Sequence, residues 1–161
     1  MRYLLPLLAC LATLAPPSLA QQPETMSLLD KPLLPPRIAD DTRSKLEADL
    51  AAARTAYKRN PEDVDNAIWL GRRAAYLSHF GEAIEIYTRA IETHPDEPRL
   101  YRHRGHRFIT IRKFDLAIRD LRKAADLVEG TPDQVEPDGQ PNERNVPTST
   151  LQTNIYYHLG L

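Results

Sequence analysis

Two stretches of this chain resemble each other at a spacing of 34 residues. The recurring pairs are Gly71 with Gly105, Phe80 with Phe114, Ala83 with Ala117, Ile84 with Ile118, and Ala90 with Ala124. A repeat of roughly 20 to 50 residues is typical of solenoid proteins, whose units bury apolar side chains only against neighbouring units. The period therefore predicts stacked helix pairs that present an extended binding surface. Arg73 and Arg107 coincide at the same spacing, and we expect both to be exposed.

Each repeat contains two apolar stripes at helical spacing, separated by a tight turn. The stripes place one helix pair in residues 64–97 and a second from Pro98 to about Gly130, so that residues 61–128 hold both pairs. Glycine inside a helix costs about 1 kcal/mol relative to alanine, so glycine at one position of both units indicates a close backbone contact. We expect the units to pack through Gly71, Phe80, Ala83, Ala90, Gly105, Phe114, Ala117 and Ala124.

Apolar residues also recur at helical spacing on both sides of the two pairs. In residues 41–60 they form one stripe, which predicts a capping helix over the exposed end of the first unit. Residues 153–161 begin a further unit, whose apolar edge would be left uncovered. We therefore expect the chain to be a truncated part of a longer array, or a partner to cover this edge.

The first 20 residues have the composition of a secretory signal peptide. Arg2 precedes an apolar run over residues 3–14, and the small residues Ser18 and Ala20 fit a cleavage site. The run is too short to cross a bilayer of about 30 Å as a helix. We expect an exported protein, periplasmic or secreted, that has no stable membrane span after cleavage. The alternatives are an uncleaved anchor and lipidation of Cys10, because residues 7–10 resemble the lipobox of bacterial lipoproteins.

Two segments contain most of the 14 prolines and interrupt the helical pattern. Residues 21–40 are expected to form a flexible leader, since proline removes hydrogen bonds from helix interiors; alternatively, Leu33 and Leu34 dock on the first helix. Residues 129–152 are acidic and rich in proline and glycine. We expect no regular structure there, because loops of this length are either functional or disordered.

The repeated positions resemble the tetratricopeptide repeat. The first unit carries Leu70, Gly71, Phe80, Ala83, Tyr87, Ala90 and Pro95; the second carries Tyr101, Gly105, Phe108, Phe114, Ala117, Leu121 and Ala124; the last segment offers Tyr156, Leu159 and Gly160. The resemblance implies an all-α fold, a right-handed superhelix of antiparallel helix hairpins. It also implies that the concave face, lined by the first helix of each pair, binds segments of other proteins, and that catalytic residues are absent.

Three positions depart from the family pattern. Ala67 stands where the family has tryptophan, and Trp69 follows two residues later, so Trp69 either packs against the capping helix or serves as a contact residue. Arg104 replaces a leucine, and Glu129 replaces the closing proline.

The resemblance places nine residues, most of them polar or basic, on the concave face. These are Asp65, Ile68, Arg72 and Ala75 from the first unit, Arg99, Arg102, His106 and Ile109 from the second, and Tyr157 from the third. Residues 98–124 contain nine arginines and lysines against two aspartates, a local charge of +7 in a protein whose net charge is −1. This asymmetry is the clearest functional indication in the sequence.

Arginine binds carboxylates through two parallel hydrogen bonds, so Arg72, Arg99, Arg102 and His106 form a candidate site for an acidic peptide or the C-terminus of another protein. Alternatively, these arginines form a solvated face or pair with the acidic loop, which carries Glu129, Asp133, Glu136, Asp138 and Glu143. The carboxylate clamp of chaperone-binding family members is not reproduced, because its lysine and asparagine positions hold Ile68 and Arg72.

Other function classes find little support in the sequence. His103 and His106 lack a third metal ligand, so we expect no metal and no cofactor. Export argues against nucleic acid, and the motifs of phosphate-binding loops and of catalytic nucleophiles are missing. We therefore expect a scaffold for protein–protein interaction and not an enzyme. The alternative is an N-terminal recruiting module of a longer protein that carries a catalytic domain after residue 161.

Overall fold

The structure, a computed structural model, describes residue 23, residues 25–136 and residues 149–160. These residues form two short strands, β1 (Thr25–Met26) and β2 (Pro32–Leu33), and the helices α1 (Asp40–Arg59), α2 (Val64–Tyr76), α3 (Phe80–Thr93), α4 (Pro98–Thr110), α5 (Phe114–Val128) and α6 (Leu151–Leu159). The predicted signal peptide, including Cys10, lies outside them. Within the described part of the protein, no helix combines the length and hydrophobicity needed to cross a membrane.

The fold is all-α, a stack of antiparallel helix pairs, as the resemblance noted in the sequence implies. Each helix packs against the next in sequence order from α1 to α6, and α4 also contacts both α2 and α6. Among the described residues, α3 and α5 make no comparable contact. The first helices of the pairs are therefore closer together than the second helices, so α2, α4 and α6 line the concave face.

The turns between paired helices have the same geometry in both units. Ser78 and Arg112 each adopt a positive φ of 64° at the end of the first helix. The next amide then reaches back into that helix: His79 N donates to Ala74 O at 3.0 Å, and Lys113 N donates to Phe108 O at 2.8 Å. This left-handed ending satisfies carbonyl groups that the helix leaves unpaired, and it reverses the chain without glycine.

Both first helices start at an acidic cap. The Asp63 carboxylate accepts from the amides of Asp65 and Asn66, and the Glu97 carboxylate accepts from the amide of Arg99. Pro98 occupies the first turn of α4, where a missing N–H group has no consequence. The first helices of the two units thus have equivalent N-terminal caps and equivalent C-terminal turns.

The expected packing positions are distributed as follows. Gly71, Ala83, Ala90, Gly105, Ala117 and Ala124 are buried between helices, and Phe80 is half-buried. A Cβ atom on Gly71 would overlap the ring of Tyr87, and one on Gly105 would lie 3.0 Å from Leu121 Cγ. Phe114 differs from Phe80 because 42% of its surface is exposed. It lies beside an open groove between α5 and α6, whereas the segment before α1 lies over Phe80.

That segment contains a small hairpin within the expected leader. Thr25 pairs with Leu33 in an antiparallel ladder, and the Thr25 hydroxyl donates to Ile111 O at 2.8 Å. Leu33 and Leu34 lie with Phe80 around a small cavity at the turns of the two units. The leucines therefore lie beside the turns that join the helices of each unit.

The ends of the acidic loop lie next to each other. Val135 and Thr150 form an isolated antiparallel bridge, and Leu151 N donates to Gln134 O at 2.8 Å. The helix α6 begins at Leu151, slightly before residues 153–161, where the sequence predicts a further unit. Residues 137–148 lie outside the described part of the protein.

Candidate functional site

The concave face contains a cavity of about 190 Å³ between α2, α4 and the ends of the acidic loop. We call it the arginine cavity. Its lining residues are Arg72, Ala75, Tyr76, Tyr87, Arg102, His103, His106, Arg107, Glu136 and Ser149. Three guanidinium groups thus face one small volume.

Helical geometry explains how α4 supplies two of these arginines. Residues 102, 103, 106 and 107 lie on one face of the helix, because positions three and four apart are neighbours on its surface. The expectation that Arg107 is exposed is wrong, since Arg107 is half-buried on this face. Arg73 is half-buried as well: it pairs with Asp49 of α1 at 3.2 Å.

Glu136 pairs with Arg102 across the cavity. Arg102 Nη2 donates to Glu136 Oε2 at 2.7 Å, and the two side chains are only 9% and 7% exposed. The Ser149 hydroxyl donates to the same oxygen at 3.1 Å. The sequence left two alternatives for these arginines, a solvated face or pairing with the acidic loop. Arg102 pairs with the loop. Such a buried pair is costly to break from one side, because the remaining charge would be left without its counter-charge.

The segment that carries Glu136 divides the concave face in two. On its other side lies a second cavity of about 110 Å³, lined in part by Asp65, Trp69 and Arg99. Trp69 is half-buried there, with the Arg72 guanidinium 4.6 Å from its ring centre, so the indole lies on the concave side. Arg72 also donates to the Tyr76 hydroxyl at 2.9 Å.

Arg99 is held by two acidic residues of its surroundings. It contacts Glu97 at 2.8 Å and Asp65 at 2.6 Å. Burial alone would raise the pKa of Glu97, but the hydrogen bonds from Arg99 outweigh it and leave the pKa below its usual value. Arg99 therefore links the first helices of the two units.

The two histidines of the arginine cavity accept hydrogen bonds from arginines. His103 Nδ1 lies 2.9 Å from Arg102 Nη1, and His106 Nδ1 lies 2.9 Å from Arg107 Nη2. Since arginine only donates, both Nδ1 atoms are unprotonated. Burial, assisted by the nearby arginine charges, lowers the pKa of His103 well below its usual value and that of His106 to about 3. Both rings are therefore neutral at pH 7.

The same arrangement argues against a metal at these histidines. Each Nδ1 already has an arginine donor, and a cation would be placed beside guanidinium charges. In the described ranges, no three His, Cys, Asp or Glu side chains are grouped as a metal site would require.

His106 also connects α4 to α6. Its ring centre lies 4.4 Å from that of His158, whose Nδ1 lies 2.6 Å from Asn154 O. Burial lowers the pKa of His158 as well. The contact between the second and third units thus includes two neutral rings.

The excess of basic residues in 98–124 is not concentrated in the cavity. Arg104 is part of the packing: it forms a two-pronged pair with Asp120, at 2.6 and 2.9 Å, and donates to Thr88 at 3.1 Å. Arg119, Arg122 and Lys123 are exposed on α5, which does not line the arginine cavity. Only Arg102 and Arg107 of the nine contribute to it.

The structure places the predicted contact residues in three locations. Arg72, Arg102 and His106 lie in the arginine cavity with Ala75, while Arg99 lies in the neighbouring cavity with Asp65 and Ile68. Ile109 instead lines the groove between α5 and α6, and Tyr157 is largely exposed beside His158. His103 and Arg107 also belong to the site but were not predicted as contact residues, and Glu136 was named only as one of five acidic residues that could pair with the arginines. The spacing of 102, 103, 106 and 107 would have indicated the first two, but Glu136 lies outside the period.

Similarity to known proteins is limited to the fold. No family model matches the sequence, and no curated protein matches it. Solved structures with a similar fold exist, and one of them is titled MamA AMB-1. The two sequences are 22% identical, and the structures match with a TM-score of 0.49. The match covers 56% of this protein and about half (49%) of the length of the matched one.

Proposed function

We propose that this protein is an exported, non-enzymatic scaffold that binds an acidic segment of another protein on its concave face. The observation that supports this function is the convergence of Arg72, Arg102 and Arg107 on one cavity of about 190 Å³ that already holds a carboxylate, Glu136. His106, in the same cavity, and Arg99, in the neighbouring cavity, are the other members of the proposed contact surface. The site contains hydrogen-bond donors and apolar side chains, and these groups are sufficient for a binding function.

Physical chemistry favours a carboxylate as the group recognised. Guanidinium groups donate in a planar fork that matches a carboxylate, and hydrogen bonds to charged groups contribute about 1.5–3 kcal/mol each. The neutral His103 and His106 hold Arg102 and Arg107 by accepting one hydrogen bond from each. The arginines are thus oriented before a ligand arrives, which lowers the entropic cost of binding.

A labelled hexaglutamate peptide tests the proposed surface. We expect Arg72→Gln and Arg107→Gln each to weaken its binding about tenfold, because each removes one charge-assisted hydrogen bond. Arg122→Gln removes the same charge from the exposed surface of α5 and serves as the matched control. Fluorescence anisotropy of the three variants would contradict the proposal if all bound the peptide equally well.

Export is a separate part of the proposal, supported by the composition of residues 1–20. The full-length protein, expressed with its own N-terminus in a Gram-negative host, should appear in the periplasmic or secreted fraction. Mass spectrometry should find Gln21 as the first residue. A mature N-terminus at acylated Cys10 would replace this assignment with a lipid-anchored protein.

A second candidate function is that these repeats recruit a substrate for a catalytic domain located after residue 161. The groove of about 170 Å³ between α5 and α6 favours it, because exposed Phe114 and Ile118 offer an apolar surface for a further element. The gene sequence downstream of residue 161 decides between the two candidates.

A further inference from the structure

We propose that Glu136 is an internal occupant of the binding site: its carboxylate takes the position of an acidic group of the partner, and the partner binds by displacing it. This inference rests on the proposed function, since it assumes that the arginine cavity recognises carboxylates. It adds that the protein regulates its own affinity through the acidic loop.

The first argument is the way in which Glu136 is bound. Its carboxylate receives Arg102 Nη2 at 2.7 Å and the Ser149 hydroxyl at 3.1 Å, inside the face where the first helices converge. These are the interactions that an external carboxylate would make in the same place. The loop thus presents to the cavity the chemical group that the cavity is suited to bind.

The second argument is that the loop is anchored independently of Glu136. Asp133 accepts hydrogen bonds from the Thr150 hydroxyl at 2.6 Å and from the Gln152 amide at 2.9 Å. Leu151 N donates to Gln134 O at 2.8 Å. These bonds attach the segment to the N-terminal end of α6 through Asp133 and Gln134, so displacing the carboxylate of Glu136 from Arg102 would leave them in place.

The third argument is the charge and volume of the cavity around Glu136. Among the described lining residues, three arginines face a single carboxylate, and both histidines are neutral. The cavity of about 190 Å³ corresponds to the liquid volume of about six water molecules. It therefore has room for a carboxylate group from outside.

Competition of this kind has a defined effect on affinity. A group attached to the same molecule acts as a competitor at an effective concentration in the millimolar range or above. The apparent association constant for the partner is the intrinsic constant multiplied by the fraction of molecules whose site is open. Weakening the internal carboxylate should therefore strengthen binding, which is the opposite of the effect of losing a contact residue.

The test uses Glu136→Gln with the labelled hexaglutamate peptide as probe. Glutamine keeps an oxygen that accepts from Arg102, while the internal competitor loses its charge. We expect the variant to bind the probe about tenfold more tightly than the wild type. Glu129→Gln removes the same charge from an exposed position of the same segment and should bind like the wild type.

A second variant addresses the case in which Glu136→Gln does not fold. Ser149→Ala removes one donor to Glu136 and leaves every arginine in place, so it should strengthen probe binding about threefold. Thermal unfolding of each variant checks that it is folded.

The possible results separate this inference from the proposed function. If the wild type binds and both variants bind equally or more weakly, internal competition is refuted and carboxylate recognition stands. If a folded Glu136→Gln variant and the wild type both fail to bind, both proposals are refuted. Binding by the variant alone supports the inference.

Discussion

The repeated glycines and Arg104 show what individual residues contribute to this solenoid. Gly71 faces the ring of Tyr87, which is buried and stacked on His103, and Gly105 faces the branched end of Leu121. The two positions are equivalent in the repeat, but the space available at each is different. Arg104 replaces an apolar residue of the family pattern and is neutralised by Asp120, which is 2% exposed.

We expect Gly71→Ala to destabilise the fold by about 1–3 kcal/mol, because the new methyl group overlaps a ring that its neighbours hold in place. Gly105→Ala should cost less, since Leu121 Cγ would lie 3.0 Å away and alanine favours the helix by about 1 kcal/mol. Urea denaturation of both variants measures the difference. Equal losses would show that Tyr87 moves aside without cost.

Asp120→Ala should destabilise the protein by about 3–5 kcal/mol, because Arg104 would remain buried without its counter-charge. The double variant Arg104→Leu/Asp120→Ala removes both charges and restores the leucine of the family pattern. It should therefore be more stable than Asp120→Ala alone. Asp126→Ala, at an exposed position of the same helix, is the control. A double variant that is the least stable of the set would disprove this account.

Among the elements, α6 differs most from the others in how it is held. It is nine residues long, and isolated helices of this length are marginal in water. Its buried Leu151 and Ile155 pack against the end of α5, and its first turn is capped from outside by Asp133 of the acidic loop. The loop therefore stabilises the helix that completes the concave face.

Replacing Asp133 with alanine should loosen α6 by about 1 kcal/mol, the usual value of a lost helix cap. Hydrogen exchange of the α6 amides measures the effect directly, and the amides of α2 and α4 provide the internal reference. Asp63→Ala at the start of α2 removes the corresponding cap elsewhere and should leave α6 unchanged. Unaltered exchange in α6 after the Asp133 substitution would contradict the capping role.

At the scale of the whole molecule, burial lowers the pKa values of three histidines in the described residues: His103, His106 and His158. All three lie where α4 meets its neighbours, beside arginines of the concave face. In the unfolded state, histidine titrates near pH 6.5, whereas the pKa of His106 in the folded protein is about 3. The unfolded state therefore binds more protons between these values, and acid should weaken the stack as a whole.

Because of this difference, the free energy of unfolding should be fully maintained above about pH 6.5 and fall as the pH decreases towards 3. Each histidine that stays neutral only in the folded state adds a slope of about 1.4 kcal/mol per pH unit below its unfolded pKa. His106→Gln should reduce the slope by about this amount between about pH 6 and 4. Urea titrations at several pH values test it, and parallel curves for variant and wild type would disprove it.

The sequence by itself determined the helix pairs, their order and the residues that face one another. Small residues where helices approach each other and acidic residues where helices begin both recur at a spacing of 34 residues. Local patterns of this kind define local structure. The resemblance to the tetratricopeptide repeat also placed Arg72, Arg99, Arg102 and His106 on one face, and the structure divides them between two neighbouring cavities.

The tertiary structure alone decided what fills that face. Glu136, Ser149 and the hairpin of residues 25–36 come from segments outside the period, so no spacing relates them to the helices that they contact. Whether Arg107 is exposed depends on what packs over its helix, and whether Phe114 is covered depends on a groove formed by α6. Burial and charge pairing are set by segments far apart in sequence, and they become visible only when those segments are brought together.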